Sequence, residues 1–197
     1  MGRRRRFDET DVLDRAVQLF WSNGYAATSI RDLERATGLS TASLYNAFGD
    51  KRALFRRSLQ RYLDRSSRRR VALLDEGPSA HAAIVALLDA IVEASAGSRD
   101  GCLLVNSAAE VAAHDAELGA DVCAGLREVE DALHRAVLRG QAEGAISRRL
   151  DAPVLAQAIL GTIVAIRVMS RTGAGTAALR RLADSQIASL TPMPAAA

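Results

Sequence analysis

The stretch from Thr28 to Lys51, TSIRDLERATGLSTASLYNAFGDK, constrains this chain more than any other. Thr28 is a good N-cap for a short helix whose inward residues are Ile30 and Leu33, with Ala36 and Thr37 at its end. Gly38 then supplies the positive φ that a tight turn between helices requires. Leu39 is expected inside, and Ser40 can cap a further helix running to Phe48. In that helix Leu44 and Phe48 stand four residues apart and point inward together, leaving Thr41, Ala42, Tyr45 and Asn46 outside. Small and hydrogen-bonding side chains on an outer face suit close approach to base edges and phosphates, whereas a merely solvated helix carries Glu and Lys there. Two short helices joined at a glycine have the layout of a DNA-reading helix-turn-helix.

The flanks extend this unit. From Asp8 to Asn23 the residues Val12, Leu13, Ala16, Val17 and Phe20 share one helical face, capped by Thr10 or Asp8 and stopped by Gly24, with Trp21 and Tyr25 expected in the small core. Ahead of it, residues 3–6 are four consecutive arginines, read either as an arm for a groove or phosphates or as a plain charged terminus. Asp50 caps another helix whose first turn holds Lys51, the only lysine in the chain; a helix N-terminus and an ammonium both attract phosphate. Residues 1–76 carry 16 Lys and Arg against 10 Asp and Glu, while the remainder carries 10 against 13. That asymmetry suggests a polyanion-binding head on a neutral-to-acidic body, the alternative being a solvated basic surface.

Three matching segments resemble a known family: Tyr25-Ala26-Ala27-Thr28-Ser29-Ile30, Ala36-Thr37-Gly38-Leu39-Ser40, and the run from Ser43 to Leu54. In order and spacing they look like the N-terminal signature of the tetracycline-repressor (TetR) family of transcriptional regulators, over roughly residues 8–60. The resemblance implies that Thr28, Tyr45 and Lys51 touch phosphates. It also implies that Thr41, Ala42 and Asn46 lie nearest the bases, with Ser40 and Ser43 close by. Ala42 replaces a frequent glycine and Ala47 a frequent aromatic, which bears on how closely the reading helix sits in the groove.

Behind this head the periodicity is helical throughout. Aromatics are 4% of residues and Pro numbers 4, so an all-β fold is excluded. One long helix is expected from Asp50 to about Glu76, then helices from Ser79, from Cys102, from about Ala116 to Glu143 with Leu138 on its inner side, and over 154–170 and 177–190. The fold class is therefore all-α, with a helix-turn-helix domain over residues 1–50 and a helical ligand-binding and dimerisation domain over 51–197.

The segment starting Cys102-Leu103-Leu104-Val105-Asn106 resembles one that borders the ligand cavity in a subset of the family. Cys102 at a helix start can be a reactive thiol or simply core. Candidate pocket or sensor residues are Cys102, Leu103 and Asn106, together with Met169. His81, His114 and His134 are read as surface or satisfied, and the spacing of Cys102, His114 and Cys123 fits no common metal set. No catalytic motif, cofactor loop or metal site is present to support an enzyme.

Residues 154–170 are apolar nearly all round, with Gly161 and Ala165 four apart, so this helix and the last one are expected to pair two subunits in a four-helix bundle, the alternative being an intrachain core. No apolar run is expected to reach the roughly 20 residues that span a bilayer. The expectation is a cytoplasmic homodimeric regulator of a double-stranded operator, released by a small apolar or amphipathic effector or, alternatively, acting as a thiol sensor through Cys102. A non-specific DNA-packaging protein is the remaining alternative.

Overall fold

A computed structural model describes residues 7–192. The arginine run at residues 3–6 and the tail beyond residue 192 lie outside the described residues. Helices α1 (Glu9–Asn23), α2 (Ile30–Thr37) and α3 (Thr41–Phe48) form the head. Helix α4 (Lys51–Tyr62) leads out of it, through a π-helical segment (Leu63–Ser67), α5 (Arg68–Val71) and a 3₁₀ turn (Ala72–Asp75). The body is α6 (Ala80–Ser95), α7 (Leu103–Glu110), α8 (Ala116–Ala142), α9 (Ala152–Arg171) and α10 (Thr176–Leu190). The described residues contain no strand.

The head closes where the apolar spacing places it. Val12, Leu13, Ala16, Val17 and Phe20 of α1 are buried, as are Leu33, Leu44 and Phe48. Phe20 meets Phe55 of α4 edge-on with ring centroids 5.1 Å apart. Each such ring contributes roughly 1.5–3 kcal/mol on burial. Asp8 caps α1, accepting the Thr10 N–H at 2.8 Å. Thr28 does not cap α2. Ser29 holds that place in a capping box with Asp32, while Thr28 is wholly enclosed and its hydroxyl donates to the Gly24 carbonyl at 2.6 Å.

The long helix after Asp50 is not continuous. At Leu63–Ser67 the bonding lengthens, so that the Arg68 N–H reaches the Leu63 carbonyl, and the last turn before Glu76 tightens to 3₁₀. The arginines threaded through this connector are largely answered by carboxylates. Arg61 grips Asp14 of α1 through two bonds of 2.6 and 2.8 Å, with Arg65 as a second partner, and Arg57 meets Glu9. On the other side Arg52 pairs with Asp115, Arg56 with Asp121 and Arg68 with Glu128, all offered by α8 or its N-cap. Much of the basic excess counted in residues 1–76 is therefore neutralised within the fold instead of facing outward.

In the body, α8 packs on α9, and α10 packs on α9 and α6 around a second core that includes Leu88, Leu133, Ile159 and Ile166. Two expectations are corrected here. Leu138 faces solvent at 49% exposure instead of the interior. Helix α9 is, by length and composition, long and apolar enough to cross a membrane, yet it lies against four body helices with 39% of its most apolar window buried. Apolar residues at nearly every turn make the run longer than expected. His81 also departs from a satisfied histidine, since its Nε2 is buried without a hydrogen-bond partner.

The Arg61 and Arg65 hydrogen bonds hold the Asp14 carboxyl down to about 2, against partial desolvation. A depressed carboxylate stabilises the fold above its unfolded value of about 3.9 and loses that contribution as pH falls through the folded value. Asp14→Asn should thus cost on the order of 1 kcal/mol at pH 7, allowing for solvent screening. In urea titrations the deficit should shrink steadily between about pH 4 and pH 2.

Candidate nucleic-acid interface and interior cavity

Helix α3 presents the surface that a groove would meet. Its N-cap Ser40 accepts the Ser43 N–H at 3.3 Å, and the two hydroxyls lie 3.0 Å apart. Leu44 and Phe48 anchor the inner side, so Ala42, Tyr45 and Asn46 face outward, Tyr45 at 43% exposure. Neither the Tyr45 nor the Asn46 side chain is engaged in a hydrogen bond among the described residues, which leaves both free to bond a ligand.

Thr41 differs from this expectation. It is half-buried, and both its N–H and its hydroxyl go to Glu34 Oε1 of α2, at 2.5 and 2.6 Å. These bonds hold the Glu34 carboxyl below its usual range. Thr41 therefore fixes α3 against α2 and does not stand open to bases. Thr28 is likewise withdrawn, because its surface is closed and its hydroxyl is spent. Lys51 opens α4 behind the N-cap Asp50, and its ammonium lies 4.4 Å from the Tyr25 ring centroid. Partial burial lowers the Lys51 pKa, with Glu110 pulling the other way. Arg31, one residue into α2, is exposed on the same head and was not singled out by its sequence context.

The loop between α1 and α2 is held from the body. Glu110, the last residue of α7, accepts the Tyr25 N–H at 3.0 Å and the Ala26 N–H at 2.7 Å, one on each carboxylate oxygen. Gly24 has φ 85°, and a Cβ there would fall 2.7 Å from Glu110 Oε2. Only glycine satisfies both demands. A second tie links α1 to the loop before α7, where the Trp21 indole N–H and the Asn106 amide both donate to the Asp100 carbonyl, at 3.0 and 2.8 Å.

Beneath these ties the body holds a cavity of about 50 Å³ between the connector, α6, α7, α8 and α9. Its wall is mostly aliphatic, including Leu87, Ile91, Leu104, Val105 and Ile163, with Tyr62, Ser67, Cys102, Arg70 and Arg167 as the chemically distinct groups. Of the residues expected here only Cys102 borders it. Leu103 is buried in the head-side core, Asn106 is turned to Asp100, and Met169 is 37% exposed on the outer side of α9. Asn106 stands one turn on from Cys102, but the Asp100 carbonyl takes its amide, and Leu104 and Val105 line the cavity instead. The Tyr62 hydroxyl donates to Cys102 Sγ at 3.3 Å, and burial pushes that hydroxyl's pKa up, so it remains a donor. The Tyr62 ring packs edge-on against Trp21 with centroids 5.0 Å apart. Arg167 could have been found as the one charge in the apolar run 154–170; Tyr62 and Glu110 carried no such signal.

Comparison with known proteins covers both halves. Residues 12–57 match the model for bacterial regulatory proteins of the tetR family, and residues 80–185 match that for the tetracyclin repressor-like C-terminal domain. The HTH-type transcriptional repressor ComR of Escherichia coli (strain K12) is 30% identical over 189 residues, 94% of this chain and 90% of the relative. A cysteine mutant of the TetR family transcriptional regulator CifR, solved with 26-base-pair double-strand operator DNA, superposes with a TM-score of 0.87 at 28% identity, covering 96% of this chain and all of that one. A TetR transcriptional regulator from Chloroflexus aurantiacus J-10-FL gives 0.82 at 27% identity over 91% of this chain and 93% of its own.

Removing Glu110 strands two loop N–H groups that now share a carboxylate. Glu110→Ala should destabilise the protein by about 1.5–3 kcal/mol, the range for hydrogen bonds to a charged partner. The Tyr25 and Ala26 amides should exchange with solvent faster than those of α1, as read by hydrogen–deuterium exchange.

Proposed function

The chain belongs to the tetR family of bacterial regulatory proteins, DNA-binding transcriptional regulators rather than enzymes, and from that premise we propose that it is a homodimeric repressor of a palindromic operator, released by a small amphipathic ligand in the body cavity. The observation that carries the DNA reading is the outer face of α3, where Ala42, Tyr45 and Asn46 stand free on a helix locked in place by Leu44, Phe48 and the Thr41–Glu34 bonds. In this reading residues 1–50 are the DNA-binding domain and residues 51–197 sense and pair, in the cytoplasm where the operator is. Ala42 and Asn46 lie nearest the bases, Ser40 and Ser43 flank them, and Tyr45 and Lys51 bond phosphates. Arg31 adds a phosphate contact from α2.

Pairing is supported by α9. It is long and apolar, yet Val154 and Val168 are exposed at 49% and 48%, and a Cβ on Gly161 would meet nothing within 4 Å. A second copy laid against α9 and α10 would cover that surface and complete a four-helix bundle. Two heads on a two-fold axis then meet half-sites about one helical turn apart.

Release requires a ligand that binds one conformation better than the other. The cavity is placed for this. Tyr62 lines it and packs on Trp21 of α1, and the π-helical segment beside it leads directly into α4. An occupant that shifts Tyr62 would move α1 and α4 together, and with them the spacing of the two reading helices. A second reading rests on Cys102, whose Sγ borders the cavity and receives the Tyr62 hydroxyl. Modification of that thiol by a small electrophile would push on the same ring. Alkylation that leaves operator affinity unchanged would remove the thiol reading and leave the ligand reading standing.

Selection of bound sites from random DNA should return a palindrome, and footprinting that shows no symmetric protection would overturn the operator model. On the selected site, Lys51→Ala should weaken binding to all sequences alike and lower the salt slope by about 1. Asn46→Ala should instead change the preferred base at one position of each half-site, at about 1–3 kcal/mol of discrimination. Val168→Glu should leave monomers by light scattering.

A further inference from the structure

The body cavity contains a positive charge that the protein does not answer. Arg167 projects from α9 with 4% of its surface exposed. Its guanidinium gives one N–H to Ser95 Oγ at 3.0 Å, and no carboxylate stands within ion-pair distance of it among the described residues. The charged and titratable groups that act on it are Cys102, Tyr62 and a second guanidinium, Arg70, whose repulsion adds to the cost. Arg70 lines the same cavity from α5, bonded to the Ser66 hydroxyl and again with no acid partner among the described residues. Burial lowers the Arg167 pKa.

The arginines nearest in the chain to Arg70 are mostly paired. Arg52, Arg56, Arg57, Arg61, Arg65 and Arg68 of the connector all have carboxylate partners. An unpaired guanidinium in an aliphatic chamber costs several kcal/mol unless an anion joins it. A leucine or methionine at position 167 would pack with the neighbouring aliphatics at no such cost. A fold keeps a liability of this kind where function uses it.

The chamber also limits what the anion can be. Its walls around the arginine are aliphatic, from Leu87, Ile91, Leu104, Val105, Leu160 and Ile163, and Tyr62 is the single aromatic ring among its lining residues. A flat aromatic ligand would find little to stack on. The volume of about 50 Å³ holds a handful of water-sized positions at roughly 10–15 Å³ each. Guanidinium and carboxylate match as planar, bidentate partners.

We infer that the cavity is a site for a short aliphatic carboxylate, with its carboxylate on Arg167, next to Arg70, and its tail among the aliphatic residues of α6, α7 and α9. The inference rests on the reading of this cavity as the effector site, and it names the chemistry of the effector. The Tyr62 hydroxyl is a neutral donor of a residue lining the same cavity, so the ligand would compete with Cys102 Sγ for it and turn the ring that touches Trp21.

The test uses the full-length protein with hexanoate, hexanamide and hexylammonium as probes. Calorimetric binding is measured in parallel with release of the selected operator by fluorescence anisotropy. Hexanoate should bind at least tenfold more tightly than hexanamide, and hexylammonium should not bind. Arg167→Met should remove that preference, and its ligand-free Tm should equal or exceed that of the parent, because an uncompensated charge has gone. Arg167→Lys, which keeps the charge but not the fork, should retain part of the preference and serves if the methionine variant does not fold. Equal affinity of the parent for hexanoate and hexanamide, or hexanoate binding that survives Arg167→Met, overturns the proposal even if hexanamide releases DNA, which would leave ligand-controlled repression intact. Hexanoate held through Arg167 without operator release upholds the site and counts against release by this cavity.

Discussion

Helix α4 must satisfy three neighbours at once, and the rest of the structure follows from how it does so. Leu54, Phe55 and Leu59 close the head's core, while the arginines of the same helix reach Glu9 and Asp14 on one side and Asp115 and Asp121 on the other. Apolar packing fixes the depth of the helix, and the ion pairs fix its rotation. Exposed pairs of this type contribute little individually, but a set on both flanks of one helix makes rotation cost many contacts together. A head mounted this way moves with its stem.

That arrangement also explains why the charge count along the chain misled in part. Opposite charges that are distant in sequence meet across helices, so a basic excess in residues 1–76 says little about what faces outward. The free surface of the reading helix is instead nearly uncharged, carrying Ala42, Tyr45 and Asn46. Its character was legible because hydrogen-bonding residues at helical spacing leave few other roles. The element order was legible for the same reason, since caps at Asp8, Ser40, Asp50 and Ser79 and stops at Gly24 and Gly38 are local signals.

What could not be read from sequence depended on third partners. Thr28 and Ser29 are equally good caps by type, and only the closure of the α1–α2 loop decides that Thr28 turns inward to Gly24. Thr41 reads as an outward residue until Glu34 arrives from the preceding helix. Asn106 shares a helical face with Cys102 on paper, yet the Asp100 carbonyl claims its amide and leaves the cavity to Leu104 and Val105. The family resemblance placed the cavity near Cys102 but could not say which face of each helix would line it.

The π-helical segment at Leu63–Ser67 has a geometric meaning of its own. A lengthened hydrogen-bond step is what a helix shows when it accommodates one residue more than regular α-helical bonding allows. At 3.6 residues per turn, one residue corresponds to about 100° of rotation about the helix axis. A widened turn takes up that residue instead of passing the rotation on, so the segments on either side keep their azimuth, and deleting one residue there would restore regular bonding with little turn of the head. The same deletion within the regular helix α4 would swing the reading surface through about a quarter of a circle, so the connector tolerates a change of length at one step and not at its neighbours.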